Sequence, residues 1–287
     1  MTQEPQVEVE QAQTAAAPST HAAMLQQTGY ADHNRAVVVS VARFHPGVAL
    51  TKRPGAERDA KKIHRTLSKL GFKVKLHSDP SSEEIYQIFH EESGRGVKDC
   101  FLAVLSSHGE EGCVFGADGK AVRLSHIFAC FKNPTMDRKA KLFLIQACRG
   151  GALDDGVQVD GAEDVSDSSF TQYLSVPVDT AVMYATAPGY GAIMSPLGSV
   201  FLQTFCALLE DEDVRKLELT RLLTRVSHRV AYTFQGKGRH LGGKKEMPCF
   251  LTRLTREVFL FVESAKDAGI SVLIGSENGR MRTPSIS

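Results

Sequence analysis

The sequence predicts an α/β protein built around a mostly parallel, doubly wound β-sheet. Short apolar segments alternate with amphipathic segments along most of the 287 residues, as expected when helices connect the strands of one sheet. Hydrophobic residues make up 42% of the chain, which is enough for a sizeable core. Two of the predicted strands run directly into reactive side chains, and sites in such sheets form at the carboxyl ends of strands.

The first half of the chain contains four predicted strands, three predicted helices and a hairpin. Apolar runs of strand length predict the strands Ala36–Ala42, Phe72–Leu76, Cys100–Leu105 and Lys141–Gln146. Apolar positions at helical spacing or helix-start signals predict the helices Ala56–Leu70, Ser82–Glu92 and Leu124–Phe131. Ala-Asp-Gly between Cys113–Phe115 and Ala121–Leu124 predicts the hairpin.

The second half begins with an acidic loop from Gly150 to about Thr180, and loops of this length are usually functional or disordered. Its carboxylates are Asp154, Asp155, Asp160, Asp164 and Asp167. Further apolar runs predict the strands Ala181–Ala185, Cys249–Leu254 and Glu257–Phe261 and the helices Val200–Leu209 and Leu217–Tyr232. Residues 1–35 and 264–287 are expected to be disordered tails, with Ile270–Ile274 as one further apolar element.

Composition excludes several classes of protein. The 34 Lys and Arg residues against 33 Asp and Glu give a net charge of +1, so there is no electrostatic argument for nucleic acid or an anionic membrane as partner. No apolar run reaches the ~18 residues of a transmembrane helix, and no signal peptide is visible. We therefore expect a soluble, cytoplasmic protein.

The six cysteines are scattered without a CxxC pair, which favours buried thiols over a disulfide framework or a metal site. Five of them are expected in the core, namely Cys100, Cys113, Cys130, Cys206 and Cys249.

His108 and Cys148 are the reactive side chains at the strand ends. His108 follows the strand Cys100–Leu105, and Cys148 follows the strand Lys141–Gln146. A Cys and a His on adjacent strand ends can form a nucleophilic dyad, because a thiol with a pKa of about 8.5 needs a base to become reactive at pH 7. Taken alone, each residue has an ordinary structural explanation as a buried thiol or a loop histidine.

The sequence around both residues resembles the motifs of the caspase family. Cys148 lies in the pentapeptide QACRG, and His108 lies 40 residues upstream in SHGEEG. Arg53, Gly55 and Asp59 reproduce the family's R-x-G-x-x-x-D segment. The resemblance extends over roughly Arg35–Glu263, with further matches at KLFLI before the pentapeptide, ATAPGY, LLTRV and KKEMPC.

The resemblance implies a three-layer fold, in which helices flank a central six-stranded, mainly parallel sheet. Residues 1–35 would be a short prodomain of the executioner type, 36–160 the large-subunit region, 161–180 the intersubunit linker and 181–263 the small-subunit region, before the tail 264–287. Cleavage after Asp160 would separate the subunits, and Asp32 could mark removal of the prodomain. Family members dimerise through the small-subunit edge, which here is Cys249–Leu254.

The resemblance also implies the catalytic groups. Cys148 would be the nucleophile and His108 the general acid and base, oriented by the carbonyl of Thr51. The backbone N–H groups of Gly109 and Cys148 would form the oxyanion hole. The chemistry requires no metal or cofactor.

Caspases bind a substrate aspartate with two arginines and a glutamine, and Arg53 and Gln146 match two of these. Met194 occupies the position of the second arginine, followed by Ser195 in the same substrate-binding segment. Tryptophans of the substrate wall are replaced by Ile193 and Val200, and the chain has no tryptophan. The loop Gln235–Gly243 is short and rich in glycine.

Three functional hypotheses follow. The first is an Asp-directed cysteine endopeptidase, made as a zymogen, activated by another caspase, and acting on proteins in apoptosis. The second is a catalytically impaired regulator that pairs with an active caspase, a hypothesis favoured by Met194 and the lost tryptophans. The third, a flavodoxin-like nucleotide or flavin binder, fits the sheet but lacks a Gly-rich phosphate loop after a strand.

Overall fold

The structure is a computed structural model that describes residues 33–151, 175–236 and 243–261. Outside these residues lie 1–32 and 264–287 of the predicted tails, including Ile270–Ile274, most of the loop Gln235–Gly243 and the carboxylates of the acidic loop. Arg35, at the end of the first predicted tail, is described and begins a strand. The predicted processing residues Asp32 and Asp160 lie outside them as well.

The described chain forms strands and helices in alternation. The strands are β1 (Arg35–Ser40), β2 (Lys73–Ser78), β3 (Cys100–Ser106), β4 (Gly109–Glu110), β5 (Cys113–Phe115), β6 (Ala121–Arg123), β7 (Ala140–Gln146), β8 (Thr180–Tyr184), β9 (Met194–Ser195), β10 (Gly198–Ser199) and β11 (Cys249–Thr252). The α-helices are α1 (Ala56–Lys69), α2 (Ser82–Ser93), α3 (Leu124–Cys130), α4 (Val200–Glu210), α5 (Glu212–Arg215) and α6 (Leu219–Thr233).

The predicted fold class is confirmed, because six of these strands form one mainly parallel sheet. Its order is β11-β8-β7-β3-β1-β2, and only β11 runs antiparallel to its neighbour. Every residue of β3, β7 and β8 is buried, which explains their continuous apolar runs, since parallel strands are covered on both faces.

Two helical layers cover the sheet. Helices α1, α4 and α6 pack on one face through residues such as Ile63, Phe201 and Leu222. Helices α2 and α3 pack on the other through Phe89 and Phe128. The domain therefore has three layers with a core on each side of the sheet.

The start of α2 explains how one of these helices is fixed locally. Ser81 accepts a hydrogen bond from the backbone of Glu84, and the Glu84 carboxylate accepts one from the backbone of Ser81. This reciprocal capping satisfies two N–H groups that the first turn would otherwise leave unpaired.

One predicted strand is wrong. Glu257–Phe261 is not a strand, although Val258, Leu260 and Phe261 are buried in the core beside α1, α4 and α6. The Val258 carbonyl accepts a hydrogen bond from the Leu219 N–H at the start of α6. The segment is apolar because it covers the helical layer, and its pattern resembled that of a sheet strand.

The prediction of five core cysteines is only partly right. Cys100 and Cys206 are buried, whereas Cys113, Cys130 and Cys249 are only partly buried, although Cys130 and Cys249 pack against the core. Helix α5 and the short strands β4, β9 and β10 were not predicted, because elements of two to four residues carry no periodicity.

The described residues contain no helix with the length and apolar composition that crossing a bilayer requires.

Substitution of Phe143 tests how much the aromatic side of the core contributes to stability. Phe143 is fully buried, and its ring centroid lies 5.0 Å from that of Phe128 and 5.2 Å from that of Phe131. Phe143→Ala should lower the free energy of unfolding by about 3–5 kcal/mol, because it removes apolar contacts and leaves a cavity. Tyr232→Ala on exposed helix surface should change it by less than about 0.5 kcal/mol. Denaturant unfolding measures both, and equal losses would contradict this account of the core.

Candidate active site

The parallel pairing of β3 with β7 brings His108 and Cys148 to the same edge of the sheet. Ser106 is paired with Gln146 at the carboxyl ends of these strands, and the two reactive residues each follow two positions later. The Ser107 N–H still donates to the Gln146 carbonyl at 3.1 Å. The two loops therefore leave the sheet side by side.

Gly109 allows these loops to approach closely. A Cβ at this position would lie 2.6 Å from the Cys113 carbonyl oxygen and 2.9 Å from the Ala147 Cβ. It would also lie 3.2 Å from the carbonyl oxygen of Cys148. The backbone of Gly109 thus packs directly against the backbone that carries the thiol, and any side chain here would separate them.

The His108 ring is held in a defined orientation. Its Nε2 lies 2.8 Å from the Thr51 carbonyl oxygen and 3.4 Å from the Thr51 hydroxyl, and the ring stacks on Phe44 with centroids 5.4 Å apart. Because a carbonyl oxygen can only accept, Nε2 must carry the proton in this contact. In the neutral ring, Nδ1 then has the free lone pair.

The pKa of His108 lies below its usual value of 6.5. Partial burial is the main cause, and the charge of Arg53 acts in the same direction, while the hydrogen bond to Thr51 opposes both. The imidazole is therefore neutral at pH 7 and able to accept a proton.

Cys148 is half-buried on the loop after β7. Its Sγ lies 3.8 Å from the Ala192 carbonyl oxygen. The next residue ties this loop to the loop after β8, because the Arg149 N–H donates to the Tyr190 carbonyl at 2.9 Å and the Gly189 N–H donates to the Arg149 carbonyl at 3.0 Å.

The Arg149 side chain is a structural support that the sequence analysis did not identify. It is buried, forms an ion pair with Glu111 at 2.7 Å, and places its guanidinium 4.1 Å from the centre of the Tyr184 ring. It also donates to the Cys249 Sγ at 3.2 Å. Burial alone would lower the pKa of Arg149, but the bond to Glu111 outweighs burial and raises this pKa. The sequence signal was a charged residue three positions after the end of a buried strand.

Arg53 is a buried cation at this edge, and not a surface arginine. Its side chain donates to the Val41 carbonyl at 2.7 Å and to the Ser106 hydroxyl at 3.0 Å. Burial lowers the pKa of Arg53 to about 10, while Asp59 and Cys148 oppose that shift through their charges. The guanidinium therefore stays charged at neutral pH and retains further N–H donors.

Gln146 lies beneath the same edge. It is buried, and within the described part of the chain its Oε1 has no hydrogen-bond partner. A buried amide oxygen without a partner is costly, so this oxygen would accept a hydrogen bond from a donor placed beside it.

Asp59 and Gly55 join the Arg53 segment to the segment that contains Met194. The Asp59 carboxylate accepts from the Ser199 N–H at 2.8 Å and from the Gln203 amide at 2.6 Å. Gly55 has φ +97°, and a Cβ there would collide with the Ser195 carbonyl oxygen. The motif R-x-G-x-x-x-D thus has a structural meaning, since its glycine and aspartate seat a distant hairpin.

Met194 and Ser195 lie in that hairpin, where β9 pairs with β10. Met194 is opposite Ser199 and half-buried, and the exposed Ser195 donates its hydroxyl to the Gly198 carbonyl at 3.0 Å. A thioether at Met194 brings no charge to this segment.

Glu246 also supports the segment that contains Met194, and the sequence did not predict this role. It is 1% exposed, and its Oε2 accepts a hydrogen bond from the Ile193 N–H at 2.6 Å. Burial raises the pKa of Glu246 to about 8, with the hydrogen bond opposing and the charge of Asp59 adding to the shift. The sequence offered no signal, because Glu246 and Ile193 are far apart along the chain.

No group of three or more His, Cys, Asp or Glu side chains in residues 33–151, 175–236 and 243–261 is arranged to hold a metal ion.

Comparison with known proteins identifies relatives over most of the chain. Residues 33–259 match the family model described as "Caspase domain". Caspase-7 of Gallus gallus is 32% identical over 241 residues, covering 80% of this chain and 78% of that protein. Caspase-3 of Mesocricetus auratus is 32% identical over 240 residues, covering 81% and 85%.

A solved structure is similar as well. The crystal structure of Caspase-1 from Spodoptera frugiperda superposes with a TM-score of 0.67 at 27% identity, covering 79% of this chain and 92% of that one. The similarity in sequence and the similarity in structure therefore point to the same family.

Glu246→Gln tests the burial of a carboxyl beneath Ile193. A carboxyl whose pKa is raised from 4.5 to about 8 by folding stabilises the folded state fully below pH 4.5, and this contribution is lost as the pH rises through 8. The stability of the unchanged protein should therefore decrease by up to about 1.4 kcal/mol per pH unit in this window. Glutamine keeps an acceptor for the Ile193 N–H but does not titrate.

Urea unfolding at pH 5, 6, 7 and 8 measures this difference. The stability of Glu246→Gln relative to the unchanged protein should increase steadily with pH. Glu257→Gln, at an exposed position, is the matched control and should leave the pH dependence as it is. If stability changed with pH in the same way in Glu246→Gln and in the unchanged protein, folding would not shift the pKa of Glu246. The Glu246 carboxyl would then be hydrated and not buried.

Proposed function

Because this chain belongs to the caspase family, we propose that it is a cysteine endopeptidase that cleaves peptide bonds after aspartate. Cys148 is the proposed nucleophile, and His108 the proposed general acid and base. The observation that carries the proposal is the orientation of His108. Its Nε2 is bound to the Thr51 carbonyl, on a loop that leaves the sheet beside the loop of Cys148.

This orientation supports a proton transfer between the two side chains. With Nε2 protonated, the lone pair of Nδ1 accepts the thiol proton, and the resulting thiolate attacks the peptide carbonyl carbon. The imidazolium then gives its proton to the leaving amine, and an acyl-enzyme thioester remains. A water molecule, deprotonated by His108, hydrolyses the thioester and restores the thiol. The lowered pKa of His108 keeps the imidazole in its basic form at neutral pH.

The tetrahedral intermediate needs donors for its negatively charged oxygen. The backbone N–H groups of Gly109 and Cys148 are the proposed donors, and the close packing of their backbones supports a common oxyanion site. Losing one such donor typically reduces the rate by about 10²–10³.

Arg53 and Gln146 are the proposed recognition groups for the substrate aspartate. Arg53 is charged, buried and fixed by the Val41 carbonyl and the Ser106 hydroxyl. A guanidinium with remaining donors suits a carboxylate, which accepts two parallel hydrogen bonds. Gln146 supplies a neutral polar partner.

Met194 weakens this site in the proposal. A hydrogen bond to a charged group contributes about 1.5–3 kcal/mol, so replacing the family's second arginine by methionine corresponds to a loss of about 10- to 150-fold. We therefore propose a peptidase of low activity or altered specificity, with Ser195 in the strand that contacts the substrate backbone.

The family also supports a biological setting for the proposal. The protein would be made in the cytoplasm as a zymogen, be cut after Asp160 and Asp32 by an activating caspase, and act in apoptosis. It would pair through the β11 edge, either with a second copy or with another caspase.

A second function is proposed because of the same Met194. If the aspartate pocket binds too weakly for turnover, the fold and its β11 edge would still allow pairing with an active caspase. In that case the protein would regulate a partner and would not cleave substrates itself.

Labelling and turnover distinguish these two functions. A preparation cut after Asp160 should react with an Asp-fluoromethylketone probe at Cys148 and should hydrolyse fluorogenic Asp peptides, because the thiol and His108 form the nucleophilic pair. Cys148→Ala should abolish both readouts, and Cys249→Ala, which removes the thiol that accepts a hydrogen bond from Arg149, should preserve labelling at Cys148. A folded and correctly cut protein that gives neither readout would favour the regulator.

Met194→Arg tests the account of the weakened pocket. Restoring a second cation should increase kcat/KM on Asp peptides by about 10- to 150-fold. Met194→Gln, polar but uncharged, is the matched control and should give much less. A rate for Met194→Arg that stays equal or decreases would contradict the account.

A further inference from the structure

A basic groove runs along α1, outside the groups assigned to catalysis. Its volume is about 1160 Å³, and nine Lys or Arg side chains line it against three carboxylates. This imbalance is local, because the whole chain has a net charge of only +1. We refer to this feature as the α1 groove.

Four cations of the α1 groove form no ion pair within the described residues. Lys61, Arg65 and Lys69 lie on one exposed face of α1, with half-exposed Lys62 beside them. Within the described residues, none of these four side chains has a carboxylate within ion-pair distance, whereas the carboxylate Glu57 is already bound to Arg43. Like charges at i,i+4 destabilise a helix, so this arrangement has a cost that a bound anion would offset.

The α1 groove is continuous with the candidate active site. Arg53, Pro54 and Gly55 line one end, together with Pro196 directly after β9. The other end reaches Lys98 beyond the last turn of α1. With 14 residues, α1 is about 21 Å long, and a path of that length accommodates about six residues of extended chain.

We propose that the α1 groove is a second binding site for an acidic segment of the protein substrate. The segment would be an extended run of about six residues rich in Asp and Glu, lying outside the sequence that enters the catalytic site. The role in substrate selection rests on the proposed peptidase function, whereas the binding itself does not.

The chemistry of the lining favours an acidic polypeptide over a nucleic acid. Single-stranded nucleic acids are bound by basic grooves that also present aromatic rings on which bases stack. The aromatic residue of this groove is Phe261, which is buried in the core. Carboxylates need only the cations, and the groove opens beside the segment where a substrate polypeptide would lie.

Binding is tested first, on the full chain with Cys148→Ala so that no cleavage occurs. The probe is a fluorescein-labelled peptide with six consecutive glutamates. Its binding is measured by fluorescence anisotropy at low salt. Replacing Lys61, Arg65 and Lys69 together by Gln should weaken binding about tenfold, given about 0.5 kcal/mol for each exposed ion pair. Raising the salt from 50 to 500 mM should remove the difference, because exposed charges are then screened.

Helix α6 provides a matched control. Arg221, Arg225 and Arg229 are also exposed and have the same spacing of four residues. Replacing these three by Gln removes the same charge and should leave binding unchanged. Equal losses in the two triple variants would reduce the effect to net charge and overturn the proposal.

Two other occupants of the α1 groove would also overturn the proposal. Tighter binding of a single-stranded oligonucleotide of equal charge would assign the groove to nucleic acid. The chain's own residues 1–32 carry four carboxylates and no Lys or Arg, and they join the described chain at His33 on the groove. Peptide binding that is seen only with Glu4, Glu8 and Glu10 replaced by Gln would identify this segment as the occupant.

Kinetics separates the second site from the peptidase function. Two protein substrates would share one cleavable Asp sequence and differ in a nearby Glu₆ or Gln₆ segment, joined by a Gly-Ser linker. The Glu₆ substrate should have about tenfold higher kcat/KM, and the α1 variant should lose this preference while cleaving the Gln₆ substrate normally. Equal cleavage of both substrates would refute the second binding site and leave the peptidase function standing. Cleavage of neither substrate would refute the peptidase function, and the anisotropy experiment alone would then decide whether the α1 groove binds the acidic peptide.

Discussion

β3 and β7 pair in parallel with Ser106 opposite Gln146, and this register places the loops that carry His108 and Cys148 side by side. A shift by one residue would turn each buried side chain of one strand to the opposite face. The register is therefore fixed by the two cores that cover the sheet, and with it the loops of His108 and Cys148. Arg53 depends on the same edge, because its guanidinium binds the Ser106 hydroxyl. Apolar packing far from the thiol thus determines the geometry around it.

A second group of interactions, made by two buried carboxyl groups, holds the segment around Met194. Asp59 binds the backbone of Ser199, and Glu246 binds the backbone of Ile193, so two carboxyls below the surface fix a hairpin too short to be stable alone. Burying these groups is costly, as the raised pKa of each indicates. Their hydrogen bonds offset part of that cost, and the result is a fixed backbone beside Arg53.

The sheet and its helices could be predicted from the sequence because strands buried on both faces are apolar throughout, as in Cys100–Leu105. The same reasoning failed at Glu257–Phe261, since an apolar run that packs on helices looks like one that pairs in a sheet. His108, Cys148 and Arg53 could be named only because whole motifs surround them. The structural roles of Arg149 and Glu246 were not predicted, because their partners Glu111 and Ile193 lie 38 and 53 positions away along the chain.

The bridges between the two parts of the chain have a further consequence. Residues before 151 and after 175 are joined by the β7–β8 pairing and by the bonds from Asp59 to Ser199 and Gln203. None of these bonds depends on a peptide link through residues 152–174. A cut there would turn one chain into a heterodimer that stays assembled under native conditions. Its melting temperature would then depend on protein concentration, and its refolding would become a second-order process.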